Sequence, residues 1–248
     1  GYPIPAMYPD RRDLWLSSYL ATYIERDVRQ IRNIPDLRAF HQFLNLAAAR
    51  HGQEFHAAEL SRQLGLSQPT VKSWAGVLEA SYVAHFLPPW SRNYGKRVVK
   101  SSKFYFWDSA LVNFLTRQPG ASAALGGPMA GPLLEGWVVT EAVKAFMVLG
   151  RKPDLFFWRS HDGLEVDLLI MIDGKLQPVE IKLTATPTAG HVEPIDRFLD
   201  VAGDEAIGQG LIVCRTEKKR ALPNGHIAMP WKSFPDWLRG RLSASTTR

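Results

Sequence analysis

Residues 165–182 read EVDLLIMI-DG-KLQPVEIK, and this stretch decides the fold. Asp173-Gly174 between two apolar runs is a hairpin signal, because both residue types tolerate the positive φ that a tight two-residue turn demands. It predicts antiparallel strands over Val166–Ile172 and Lys175–Leu183. With a two-residue loop Ile172 faces Lys175, and counting outward sets Asp167 opposite Glu180 and Glu165 opposite Lys182. The closing pair of such a hairpin is hydrogen-bonded, so Leu169–Pro178 falls at a non-hydrogen-bonded position that tolerates a residue without an N–H. Asp167–Glu180 has the same parity, the one that brings side chains closest. Two carboxylates roughly 5 Å apart at Cβ repel each other, and a divalent cation between them relieves that repulsion. A three-residue loop would shift the register and remove the pairing.

A second interpretation of the same residues is a solvated sheet face. In it Glu165, Asp167, Glu180 and Lys182 form a charge ladder, while Val166, Leu168, Ile170, Val179, Ile181 and Leu183 fill the core. The surrounding sequence bears on the choice. Pro132–Leu149 is apolar almost all round and reads as a buried helix, with Pro132 suited to its first turn. Glu135 lies near its start, in an apolar setting that structural carboxylates usually avoid. Leu155–Arg159 reads as a short aromatic strand. A helix around Val192–Val201 and a strand over Gly210–Cys214 follow the hairpin.

That order of elements, carrying Glu135, Asp167 and Glu180-x-Lys182, resembles the restriction-endonuclease-like PD-(D/E)xK nuclease superfamily. The resemblance covers about Gly131 to Cys214. It implies that Glu135, Asp167 and Glu180 hold Mg²⁺ or Mn²⁺ through hard oxygen ligands, and that Lys182 positions or activates the attacking water. Val166 stands where the superfamily has proline before the aspartate.

The first half carries a different pattern. Glu54–Val83 reads as two helices joined by a tight turn at Gly65, with Ser67 capping the second. Ala57, Leu60 and Leu64, then Val71, Trp74 and Leu78, recur at helical spacing and would pack the pair together. Leu-Gly-Leu-Ser-x-x-Thr-Val is typical of a helix-turn-helix, and it places Gln68, Thr70 and Lys72 near the N-terminal face of the second helix, which can enter a major groove. Strand-like Tyr82–Leu87 and Lys103–Trp107 bracket a loop holding Arg92, Lys96, Arg97, Lys100 and Lys103 with no acid among them, the pattern of a winged helix. A winged helix can also bind protein instead of nucleic acid.

Charge is unevenly spread. Residues 1–125 hold fifteen Lys and Arg against nine Asp and Glu, and residues 126–248 hold fifteen of each, so the net +6 lies with the first half. A concentration of this kind is an electrostatic footprint for a phosphate backbone and makes DNA the expected partner. The 248 residues, 46% hydrophobic and 22% charged, suit two globular domains. One cysteine, Cys214, excludes an internal disulfide and fits a reducing compartment. No apolar run of transmembrane length and no signal peptide is visible, so a cytoplasmic protein without a membrane span is expected. His51, His56, His161 and His191 lack metal-ligand spacing. No Gly-x-x-x-x-Gly-Lys-Ser/Thr occurs, so no P-loop ATP site is expected here.

The opening Gly-Tyr-Pro-x-Pro, the run Trp15-Leu16 to Asp27-Val28, the Tyr105–Leu111 stretch and the Leu134-Glu135 helix resemble landmarks of prokaryotic AAA-superfamily ATPases, where the P-loop domain joins a conserved C-terminal part. The resemblance spans almost the whole chain. It implies a helix-turn-helix followed by a nuclease-like fold, with the ATPase domain of the same parent protein as partner and a homo-oligomer as a further expectation. Arg26 or Arg29 would contact that ATPase domain or a neighbouring subunit, unless Glu25-Arg26-Asp27 only pairs charges along a helix. The first methionine is Met7, which suggests a piece of a longer protein. The expectation is therefore an α+β chain: a helical segment over 1–50, a winged helix over 51–118, a restriction-endonuclease-like domain over 128–240 and a disordered tail over 241–248. A loop rich in Gly, Pro and Ala at 116–131 forms the junction. A catalytically silent nuclease-like fold that binds DNA or protein and regulates the ATPase is the competing expectation.

Overall fold

The computed structural model describes residues 7–24, 36–92, 101–118 and 121–244. The chain is α+β and divides into two compact units, Gly1–Phe86 with Ser102–Gly136, and Leu87–Ser101 with Trp137–Arg248. The junction expected at 116–131 precedes the last crossing between them by a few residues.

The first unit opens with α1 (Arg12–Tyr19) and α2 (Leu37–Ala49). Asp36 caps α2, its Oδ1 accepting the Ala39 N–H at 3.0 Å. Phe40, Phe43, Leu44, Ala47 and Ala48 follow the helical period and are all buried. α3 (Ala57–Leu64) ends at Gly65, left-handed at φ 66°, and α4 (Gln68–Ala80) starts from Ser67, whose Oγ accepts the Thr70 N–H at 3.2 Å. Of the predicted apolar positions Ala57, Leu60, Val71, Trp74 and Leu78 are buried in one core with Leu64 packed against it, where Trp74 also meets Phe40 and Phe43 of α2 edge-on at 5.3 and 5.6 Å between centroids. β1 (Ala84–Leu87) and β2 (Lys103–Phe106) form a two-stranded sheet, and Glu54 bridges to Lys103 beside it. Helix, short extended segment, two helices and two strands in this order make the element sequence of a winged helix. α5 (Ser109–Leu115), capped by Asp108, and α6 (Ala121–Gly126) follow, and Leu111, Val112 and Leu115 join the same apolar core. α7 (Ala130–Val148) then spans the point where the first unit gives way to the second.

The second unit is built on a six-stranded mixed sheet in the order β3-β4-β5-β6-β8-β7. β3 (Leu155–Arg159), β4 (Glu165–Ile172) and β5 (Lys175–Lys182) run as an antiparallel meander. β5, β6 (Leu211–Cys214) and β8 (Ile227–Pro230) are parallel, with the short β7 (Arg220–Ala221) antiparallel to β8 at the edge. A parallel step needs a crossover, and α8 (Glu193–Ala202) lies in the one between β5 and β6. α9 (Phe234–Ala244) closes the described part. The segment after β1 belongs to this unit: Pro89 bridges to Phe157 of β3, the Trp90 N–H donates to the Phe157 carbonyl at 2.6 Å, and Trp90 packs on Phe198 of α8.

The β4–β5 turn is as read from its sequence. Ile172 faces Lys175, Leu169 faces Pro178, and Asp173 and Gly174 sit at φ 53° and 74°, the two positive values of a type I′ turn. The expected pairs Asp167–Glu180 and Glu165–Lys182 lie beyond the end of the paired ladder in this register. Paired register ends at Leu168–Val179, and beyond it the Ile181 N–H donates to Asp167 Oδ2 at 2.8 Å. A side-chain carboxylate accepts there in place of a ladder carbonyl, and on the other side of β4 Glu165 lies opposite Arg159 of β3.

Candidate metal and phosphodiester site

Where β4 and β5 part, the second unit gathers Asp167, Glu180 and Lys182. Asp167 is 7% exposed and Glu180 2%, which removes the alternative of a solvated charge ladder. The two strands are buried along most of their length on both faces, as expected of a sheet that is parallel on one side. Lys182 Nζ lies 2.5 Å from Glu180 Oε1 and 3.9 Å from Asp167 Oδ2. Residues 180 and 182 share a sheet face, so one ammonium reaches both carboxylates. Glu180 Oε2 is buried and makes no hydrogen bond among the described residues. An unsatisfied buried carboxylate oxygen is costly, and the carboxyl responds by holding its proton. Burial first and the Asp167 charge second push Glu180 well above the ordinary carboxylate range, with Lys182 partly opposing them. Two or three hard oxygen donors, one of them unsatisfied, form a donor set that fits Mg²⁺ or Mn²⁺.

The other residues expected at the site are placed as follows. Glu165 is paired with Arg159, whose Nε donates to Oε2 at 2.7 Å. Glu135 belongs to the first unit, where its Oε1 accepts from Lys103 Nζ at 2.7 Å and from Tyr105 OH at 2.6 Å. Lys103 is thus corrected as an open basic residue: it is 2% exposed and bound to a carboxylate. Tyr105 in turn lies between two imidazoles, edge-on to His51 and to His85 at 5.5 Å each. Burial holds both neutral, His51 lowered to about 3 and His85 to about 4. His51 Nδ1 accepts the Phe106 N–H at 3.1 Å, and a Cβ at Gly136 would come within 2.0 Å of its Nε2. Only glycine fits there.

Of the expected nucleic-acid contacts, Gln68 and Lys72 are exposed on α4, while Thr70 is half-buried with its hydroxyl 2.7 Å from Ser67 Oγ. Arg92 lies in the second unit, its Nε donating to Glu205 at 3.1 Å and its Nη2 to the Ala202 carbonyl at 3.0 Å. Lys96, Arg97 and Lys100 lie outside the described residues, as do Glu25 to Arg29 and the last four residues of the tail. No helix of the described residues is long and apolar enough to cross a membrane.

A cationic feature was missed by the sequence reading. The turn from β6 to β7 carries Arg215, Lys218, Lys219 and Arg220 against Glu217, all exposed, around a concavity of about 730 Å³. The evenly balanced charge of the second half concealed it.

An α+β chain with a helix-turn-helix unit and a carboxylate–lysine constellation on a mixed sheet is the class these observations define. Two family models cover it in succession. A domain of unknown function, DUF8612, matches residues 1–122, and a second domain of unknown function, DUF4143, matches residues 130–234. The uncharacterised proteins Mb2031c of Mycobacterium bovis and Rv2008c of Mycobacterium tuberculosis are each 32% identical to the chain over 174 residues, 70% of this chain and 38% of theirs. The chain thus spans under two fifths of the length of these curated relatives. No solved structure matches it.

Proposed function

We propose that this chain is the C-terminal part of a prokaryotic AAA-superfamily ATPase, that its helix-turn-helix unit binds DNA, and that its second unit hydrolyses phosphodiester bonds with Mg²⁺ or Mn²⁺. The observation that carries the proposal is the buried, unsatisfied Glu180 Oε2 beside Asp167, with Lys182 in reach of both carboxylates. A divalent cation bound there would polarise the phosphodiester and lower the pKa of its water. Asp167 and Glu180 supply the oxygen donors, and Asp167 is held in place by the Ile181 N–H. Lys182, about one-third exposed, can swing from Glu180 to hydrogen-bond the attacking water and steady its charge. The superfamily resemblance assigns Glu135 to the same ligand set. The greater length of the mycobacterial relatives supports a larger parent protein, as does the ATPase resemblance of the opening segment.

The test is cleavage by the parent protein with ATP and Mg²⁺ on linear, nicked and branched DNA and on RNA. Lys182→Ala is expected to keep the fold and metal binding and to slow cleavage by roughly 10²–10⁴-fold, the usual worth of a positioned acid–base group. A second reading, a catalytically silent fold that regulates the ATPase, is favoured by the 2.5 Å Lys182–Glu180 contact, which neutralises the carboxylate without a metal. Equal products from both forms, or none from either, would support it.

A further inference from the structure

The β6–β7 turn stands beside the carboxylate site by construction of the sheet. In the parallel register Lys182 of β5 lies opposite Cys214 of β6, so Arg215 begins one residue past the position next to Lys182. The Arg215 N–H donates to the Thr184 carbonyl at 2.9 Å, and Ala185, three residues beyond Lys182, lines the same concavity. The loop is held in shape: buried Thr216 donates through its Oγ1 to the Lys218 carbonyl at 3.1 Å, and Arg220 is anchored in β7 opposite Ala228. No hydrogen bond or ion pair among the described residues engages the side chains of Arg215, Lys218, Lys219 or Arg220. Four cations crowd one concavity with a single acid, Glu217, and repel one another when nothing anionic lies between them. The carboxyl ends of parallel strands are also where open α/β sheets bind ligands. Three residues of chain span at most about 10 Å.

We infer that the Arg215–Arg220 turn is the subsite that holds the phosphate backbone of a DNA strand as it crosses the Asp167–Glu180–Lys182 site, an inference that rests on the phosphodiester reading of that site. DNA affinity then resides in the second unit as well as in the helix-turn-helix. Glu217 sits among the cations as the one group that weakens the grip.

The experiment measures binding of the chain to a fluorescein-labelled DNA duplex of about 20 base pairs by anisotropy, across roughly 50–200 mM salt, the range in which counterion release dominates. Lys218→Ala with Lys219→Ala is expected to flatten the slope of log K against log salt by about two, and to weaken binding tenfold or more near 0.1 M. Glu217→Gln is expected to tighten it, a gain that misfolding cannot produce. Each variant is also melted with and without Mg²⁺, where parent-like melting and metal stabilisation are expected. An unchanged slope in the double variant, or no duplex binding by the parent chain, would overturn the inference. Loss of slope in the double variant with no Mg²⁺ stabilisation in the parent would retain the DNA subsite and sink the hydrolytic reading alone.

Discussion

Each unit of this protein sets a glutamate against a lysine, Glu180 buried and Glu135 half-buried, and the two pairs are built to opposite ends. In the first, Glu135 Oε1 receives both the Lys103 ammonium and the Tyr105 hydroxyl, and Lys103 is almost fully enclosed. In the second, Glu180 shares its lysine with Asp167, Lys182 reaches solvent, and one buried carboxylate oxygen makes no hydrogen bond among the described residues. A buried charge surrounded by donors is a structural joint. One crowded by a second carboxylate and short of donors stores a cost that a cation can relieve. Local sequence does not separate the two, since both are glutamates in apolar surroundings. The partners do.

The largest effect expected from this contrast is at Lys103. Lys103→Met leaves the Glu135 carboxylate with the Tyr105 hydroxyl but without its ammonium, and should cost up to about 3–5 kcal/mol in urea unfolding, the usual penalty for breaking a buried pair from one side. Lys182→Ala should cost far less, because Lys182 is partly in water. Similar losses at both positions would erase the contrast.

Glu180→Gln should move stability the other way, by about 1–2 kcal/mol at neutral pH, since it removes a carboxyl that burial and the Asp167 charge make costly to ionise. The sign follows from the raised pKa. A carboxyl that holds its proton more tightly when folded contributes stability below its unfolded pKa, about 4.3, and that contribution is lost as pH rises through the folded value. The advantage of the glutamine form should therefore grow as pH climbs above the ordinary carboxylate range. Urea midpoints that run in parallel from acid to neutral pH would refute it.

Metal should reverse that ranking. At a tenfold excess over its dissociation constant, Mg²⁺ or Mn²⁺ should stabilise the parent chain by about 1.4 kcal/mol through mass action. Asp167→Asn and Glu180→Gln should abolish the shift, and Lys103→Met should leave it intact in whatever fraction still folds. Thermal melts in millimolar metal read this directly, and no shift in the parent would count against the site.

The smallest effect belongs to Arg92. Its pair with Glu205 is half in water, so Arg92→Ala should cost less than about 1 kcal/mol and leave the salt slope of DNA binding unchanged. A flattened slope would restore Arg92 to the nucleic-acid surface.

The hairpin and the helix-turn-helix were legible because each is specified by neighbours in sequence. Asp173-Gly174 encodes its own turn, and Gly65 and Ser67 encode the end of one helix and the start of the next. Burial of Asp167 and Glu180 was not legible, since alternation along a strand cannot say whether a second layer covers the polar face. Nor was the partner of Glu135: Lys103 lies 32 residues away in the chain and reads locally as part of a basic loop. The cationic turn after β6 escaped for a different reason. Charge summed over a half-chain averages away a cluster six residues long.

The register of β3 carries one more consequence. Its outer edge is covered by Pro88–Trp90, a segment that the chain delivers from between β1 and β2, long before the sheet is made. The boundary between the two family models, at 122 and 130, therefore leaves a piece of the sheet's border on the wrong side of the cut. A fragment that starts at 130 would expose the aromatic run Phe156-Phe157-Trp158 along an open strand, the kind of border that recruits other chains into aggregates.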